Sequence, residues 1–123
     1  MNPNDTIVAA ATPYGFGGIA VVRLSGSKAN AIVKTMCQHP SSFLDRKATK
    51  VQLYKDKNKP FDSALVTFFK TPNSYTGEDV FEISCHGSPA IVEIIIEAAI
   101  NLGARTADPG EFTQRAFING KMD

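Results

Sequence analysis

The spacing of apolar residues along the 123-residue chain changes repeatedly, and each change marks an expected element. Residues 6–11 and 19–24 are short runs rich in Ile, Val and Ala, so two strands are expected there. The breaker-dense segment Thr12-Pro13-Tyr14-Gly15-Phe16-Gly17-Gly18 separates them as a glycine turn. The period then becomes helical. Ala29, Ile32, Val33 and Met36 recur at i, i+3, i+4 and i+7, which predicts a helix over 28–37 with Ser27 as its N-cap. After a loop over 40–45, apolar runs at 51–54 and 64–69 predict a hairpin. Its turn, 55–60, is rich in lysine and reads as a solvated tip.

The segment PNSYTGEDVFEISCHG over 72–87 joins a turn-rich loop to an alternating strand. Alternation places Val80, Glu82 and Ser84 on one face and Phe81, Ile83 and Cys85 on the other. A second helix is expected over 89–102, with Ser88 as N-cap, Pro89 at its first position and Gly103 as its stop. Its polar stripe is only Glu93, Glu97 and Asn101. So narrow a stripe implies burial on more than one side, against a sheet plus a second element or against another subunit. Residues 104–107 return as a short strand. Asp108 as N-cap and Glu111 three residues on resemble a capping box, opening a short helix that Asn119-Gly120 ends. The order β, β, α, β, β, β, α, β, α indicates an α+β fold with a mostly antiparallel sheet and two main helices.

Composition narrows the function classes. With 43% hydrophobic and 20% charged residues, the chain suits one domain with a core of its own. A net charge of +1 gives no basic field for nucleic acid, and the aromatics are not interleaved with Lys and Arg. No signal peptide opens the chain, and the apolar run around Ile94–Ile96 is interrupted by Glu93 and Glu97, so a soluble, non-membrane protein is expected. Two cysteines outside any CxxC pattern suit a reducing cytoplasm. The ending Phe117-Ile118-Asn119-Gly120-Lys121-Met122-Asp123 has no polar tail, as if the chain continued in something longer.

Several chemistries fail on spacing. Gly15-Phe16-Gly17-Gly18-Ile19-Ala20 fits GxGxxA, but strand-like residues follow where a pyrophosphate site needs a helix N-terminus. Gly120-Lys121 lacks the upstream glycine and the following Ser or Thr of a P-loop. Cys37, His39, Cys85 and His86 lack zinc-ligand spacing, and alternation sends Cys85 and His86 to opposite faces, against a thiol–imidazole pair. Taken singly, Glu82 reads as a solvated strand carboxylate and Arg23 as a snorkelling strand end. Glu111 reads as a cap, Arg105 and Arg115 as surface charges, and Lys121 carries no signal of its own.

The segments together say more. Asp5-Thr6-Ile7-Val8-Ala9, Ala11-Thr12-Pro13 and Gly17-Gly18 are followed by Val22-Arg23-Leu24-Ser25-Gly26 and by PNSYTGEDVFE with His86-Gly87. Leu102-Gly103-Ala104-Arg105 and PGEFTQRAFINGK complete the series. This order and spacing, over essentially the whole chain, resembles the N-terminal domain of the MnmE (TrmE) family of bacterial tRNA-modification GTPases. The resemblance implies a fold similar to the tetrahydrofolate-binding domain of the aminomethyltransferase (glycine-cleavage T-protein) class. It implies a folate-binding and dimerisation domain over 1–120, with 121–123 beginning the connection to a helical and GTPase region outside the chain.

The implied cofactor is 5-formyltetrahydrofolate or a related one-carbon folate. GTP, magnesium and potassium are expected only in the region outside this chain. The implied partners are a second copy of the domain, the flavoprotein MnmG, and tRNA as the substrate modified at its wobble uridine. Three family folate contacts fall on matching positions: Arg23 of V-x-R-x-S-G, Glu82 of GEDVFE and Lys121 of F-x-N-x-K. A carboxylate can accept the adjacent N–H donors of a pterin edge, and cations suit a folate's glutamate tail. Glu82 is therefore expected on the pterin, with Arg23 or Lys121 nearer the tail. Catalytic and metal residues are expected to be absent from this segment. Phe16 and Cys85 depart from the residues common in the family, and Phe16 would reshape the pocket mouth. Two other readings stand beside this one: a dimerisation module without a competent folate site, and a stand-alone folate-dependent one-carbon transferase.

Overall fold

A computed structural model of the chain describes residues 2–12 and 17–121. Nine elements follow in the expected order: β1 (Ile7–Ala10), β2 (Ile19–Ser25), α1 (Ala29–Cys37), β3 (Ala48–Tyr54), β4 (Pro60–Phe69), β5 (Val80–His86), α2 (Pro89–Asn101), β6 (Arg105–Thr106) and α3 (Glu111–Ile118). The strands form one sheet in the order β3-β4-β5-β2-β1-β6. Every pairing is antiparallel except β1 with β6. The fold is α+β, as expected.

Period-2 alternation decides what the sheet buries. Val22 and Leu24 of β2, Val66 of β4, and Phe81, Ile83 and Cys85 of β5 join one core with Ile32, Val33 and Met36 of α1 and Val92, Ile95 and Ala99 of α2. Phe81 sits at its centre, stacked on Phe68 at 4.5 Å and edge-on to Phe43 at 5.6 Å. The thiols of Cys37 and Cys85 are buried in this core. Burial pushes the Cys37 thiol up to about 12, and burial together with the charge of Asp62 raises Cys85. Neither thiol is an available nucleophile at neutral pH. His86, on the opposite face, pairs with Asp62 at 2.6 Å.

At one end of the sheet the second face is covered as well. Ile7, Ser25 and Val80 are buried there, beneath α3 and the 71–79 loop. The rest of that face is open, with Ile19 and Leu65 exposed.

The structure corrects several local expectations. β3 begins at Ala48, because Ala48, Thr49 and Lys50 pair with Thr67, Val66 and Leu65, and β4 begins at Pro60, because Gln52, Leu53 and Tyr54 continue the ladder with Ser63, Asp62 and Pro60. The N-cap of α1 is Lys28, not Ser27, and its N–H is satisfied at 2.9 Å by Oγ1 of Thr6, just before β1. Ser88 does cap α2 by position, but its side chain makes no capping bond. Gly110, with φ 75°, takes the N-cap of α3 in place of Asp108. Half of the capping box survives, as Glu111 Oε1 accepts the Asp108 N–H at 2.9 Å. The narrow polar stripe of α2 suggested burial on more than one side, yet within this chain Ile100 and Leu102 remain 40% exposed. Of the glycine turn, residues 13–16, including Phe16, lie outside the described residues, as do Met122 and Asp123.

Candidate functional site

The open sheet face brings Arg23 and Glu82 together. Ladder pairing sets them directly opposite each other on β2 and β5. Arg23 donates from Nε at 3.0 Å and from Nη2 at 2.8 Å, both to Glu82 Oε2. Both side chains are about a quarter exposed, so this is a pair at the rim of a cavity and not a sealed core pair. Glu82 Oε1 has no hydrogen-bond partner among the described residues. The Arg23 guanidinium lies 5.5 Å from the Tyr75 ring and 5.7 Å from the Phe112 ring, which hold it over the sheet as cation–π neighbours.

The 71–79 loop forms one wall, and its motif residues explain why it is rigid. Thr71 donates its N–H to Asp79 Oδ1 at 2.9 Å and its hydroxyl to the Gly77 carbonyl at 2.6 Å. Ser74 donates its hydroxyl to the Glu78 carbonyl. Thr76 is fully buried against Ser25, at 2.7 Å between hydroxyls. Gly77 has φ 84°, a left-handed conformation that favours glycine, and a Cβ there would lie 2.9 Å from Asn119 Cβ.

Three contacts sew this loop to α3. Tyr75 and Thr113 hydroxyls meet at 2.8 Å, Arg115 Nη1 donates to Glu78 Oε1 at 3.0 Å, and Asn119 Nδ2 donates to the Thr76 carbonyl at 2.7 Å. Behind them Glu111 accepts from Arg105 at 2.6 Å and 2.8 Å and from Arg115 at 3.0 Å. Arg105 above all, with Asp108 N–H and Arg115 adding to it, holds the Glu111 carboxyl down to about 2. Arg115 and Glu111 are only 3% and 6% exposed. The sequence expectation that Arg115 is a surface charge is thus overturned, and Glu111 is a buried ion-pair partner before it is a cap.

Lys121 reaches the same place through the end of α3. Gly120, at φ 73°, donates its N–H to the Phe117 carbonyl at 3.1 Å, and Lys121 donates its N–H to the Ala116 carbonyl at 2.7 Å. These are the two bonds of a Schellman termination, and they fix the backbone of Lys121 beside the loop. Lys121 and Glu82 then line one cavity of about 480 Å³, together with Arg46, Phe69, Asn73, Ser74, Tyr75 and Val80. That volume suits a small organic ligand.

The three residues singled out from the sequence are therefore placed as follows: Glu82 and Lys121 in the cavity wall, Arg23 paired to Glu82 beside it. Sequence reasoning missed Arg46, Phe69 and Phe112, which reach the site only through tertiary packing. Tyr75 lay inside the singled-out motif but carried no assigned role. A larger, mostly apolar cavity of about 670 Å³ lies between α1, α2 and the β3–β4 turn. Of the motif segments only Leu102 lines it, and Arg23, Glu82 and Lys121 do not.

The chain as a whole is similar to known proteins. A family model described as GTP-binding protein TrmE N-terminus matches residues 6–121. The chain belongs to this family. It is 50% identical over its whole length to the tRNA modification GTPase MnmE of Aliarcobacter butzleri, of which it covers 27%. It is 51% identical over 97% of its length to the protein of that name from Legionella pneumophila strain Paris, covering 26% of it. The Francisella tularensis subsp. novicida protein of that name is also 51% identical over the whole chain, which covers 27% of it. The chain thus spans about a quarter of the length of the curated relatives it matches. Among the described residues no helix is long and apolar enough to cross a membrane, and no cluster of potential metal ligands occurs.

Proposed function

We propose that the chain is the folate-binding, dimer-forming N-terminal part of a tRNA-modifying GTPase. The observation that carries this reading is the Arg23–Glu82 pair at the edge of a cavity that Lys121 also lines. Glu82 presents an uncommitted carboxylate oxygen to the adjacent N–H donors of a pterin edge, while Phe69 and Tyr75 supply aromatic surface for its ring. Lys121 supplies a cation for the glutamyl carboxylates. A one-carbon folate such as 5-formyltetrahydrofolate fits this donor set, and it would bring the one-carbon unit that the protein's own side chains lack. In the full-length protein the folate is presented to a wobble uridine of tRNA in cooperation with the flavoprotein MnmG, in the cytoplasm. GTP, magnesium and potassium belong to the region beyond this chain.

Calorimetric titration with 5-formyltetrahydrofolate tests the proposal. Saturable binding should weaken at least tenfold, about 1.4 kcal/mol, in Glu82→Ala and in Arg23→Ala. No heat from the folded wild-type chain would sink it.

A second reading, a dimerisation module alone, is favoured by the exposed Ile100 and Leu102 at the end of α2. Sedimentation of the titrated sample separates the two. A dimer without folate binding supports the module alone, a folate-binding dimer supports the first reading, and a monomer at high concentration removes α2 as the contact.

A further inference from the structure

The cavity holds more positive charge than the Arg23–Glu82 pair accounts for. Arg46 lines it together with the paired carboxylate, and among the described residues no carboxylate lies within ion-pair distance of Arg46 or of Lys121. The neighbouring acid, Asp45, is engaged elsewhere: its Oδ1 accepts the Lys70 N–H at 2.8 Å. Two cations and one carboxylate thus line this opening, and the carboxylate is already paired with Arg23 from beside it. An unneutralised guanidinium and ammonium lining one cavity form a site for an anion.

Arg46 is held, not loose. Its backbone has φ 60°, its N–H donates to the Phe68 carbonyl at 2.7 Å, and Asp45 forms a bridge to Phe68. Its guanidinium donates to the Asn73 carbonyl of the motif loop and lies 5.3 Å from the Phe69 ring. One N–H edge is thereby anchored and the other donors stay open to a planar oxyanion.

Resting on the folate reading, we propose that Arg46 is a specificity-determining residue that, with Lys121, grips a carboxylate of the ligand's glutamyl tail. Glu82 then reads the ring and the two cations read the tail. The ligand class is a reduced folate carrying glutamate, in preference to a bare pterin or pteroate.

The test compares 5-formyltetrahydrofolate with 5-formyltetrahydropteroate, which lacks the glutamate, by calorimetry on the chain and on Arg46→Gln and Arg46→Lys. The wild type should favour the glutamylated ligand at least tenfold. Arg46→Gln should remove that preference while leaving pteroate affinity within twofold, and Arg46→Lys should restore part of it. Equal wild-type affinity for the two ligands, or equal weakening of both in Arg46→Gln with rescue absent in Arg46→Lys, overturns the role of Arg46 and leaves the folate reading standing. Binding of neither ligand overturns the folate reading and this inference with it. Thermal melting of each variant keeps a folding defect from passing as a binding one.

Discussion

Arg115 shows how much one side chain of α3 holds in place. Its guanidinium reaches Glu78 of the loop and Glu111 of its own helix while almost wholly removed from water. Replacing it with Met strips Glu78 of its guanidinium partner and leaves the buried Glu111 to Arg105 alone, and a cost of about 3 kcal/mol is expected. Urea unfolding should show it as a lower midpoint at unchanged slope, with Arg115→Lys in between; an unchanged midpoint for Arg115→Met contradicts it. The i,i+4 spacing of Glu111 and Arg115 was readable, but the burial was not, because the other partner, Glu78, is brought from a different element by the fold. Glu82 behaves differently. Its alternation with Phe81 and Ile83 was readable, and it does point away from the core.

At the scale of elements, the 71–79 loop and α3 form one unit that walls the cavity. The motif letters are mostly scaffolding: Thr76 and Glu78 tie the loop to β2 and α3, and Asn73 accepts a bond from Arg46. Gly77 is the position where the backbone demands glycine. Gly77→Ala should cost roughly 1–3 kcal/mol through the unfavourable φ and the approach to Asn119, seen as a lower Tm. It should also weaken folate binding, since the loop carries Tyr75; a variant as stable as the wild type would show that the loop can relax freely. Helix and strand existence was legible from apolar spacing throughout, whereas cap residues were not. Thr6, just before β1, satisfies the start of α1, and Gly110 takes the cap expected of Asp108.

For the whole molecule, the Asp5–Arg105–Glu111–Arg115–Glu78 chain of charges links the N-terminal segment, β6, α3 and the loop. Glu111 ordinarily titrates near 4.5 and is held down to about 2, and Asp5 is lowered too, chiefly by its hydrogen bond from Arg105. A depressed folded-state value means that the stabilisation is present above the ordinary value and lost as pH falls through the folded one. Stability should therefore decline as pH drops from about 4.5 to about 2. Glu111→Gln should be less stable at neutral pH and show a shallower decline over that window, measured as urea midpoints across the pH series. An identical pH slope in the variant would remove Glu111 from the account.

The sequence by itself determined the order and type of the elements, the face on which Glu82 lies and the family to which the chain belongs. Each of these follows from local periodicity or from motifs that are contiguous in the chain. Only the tertiary structure decided that Arg23 stands across from Glu82, that Arg115 and Glu111 are buried, and that Arg46 joins Lys121 in the cavity. Strand pairing and helix packing bring residues from separate segments within bonding distance, and a one-dimensional pattern does not encode which charges those contacts remove from water.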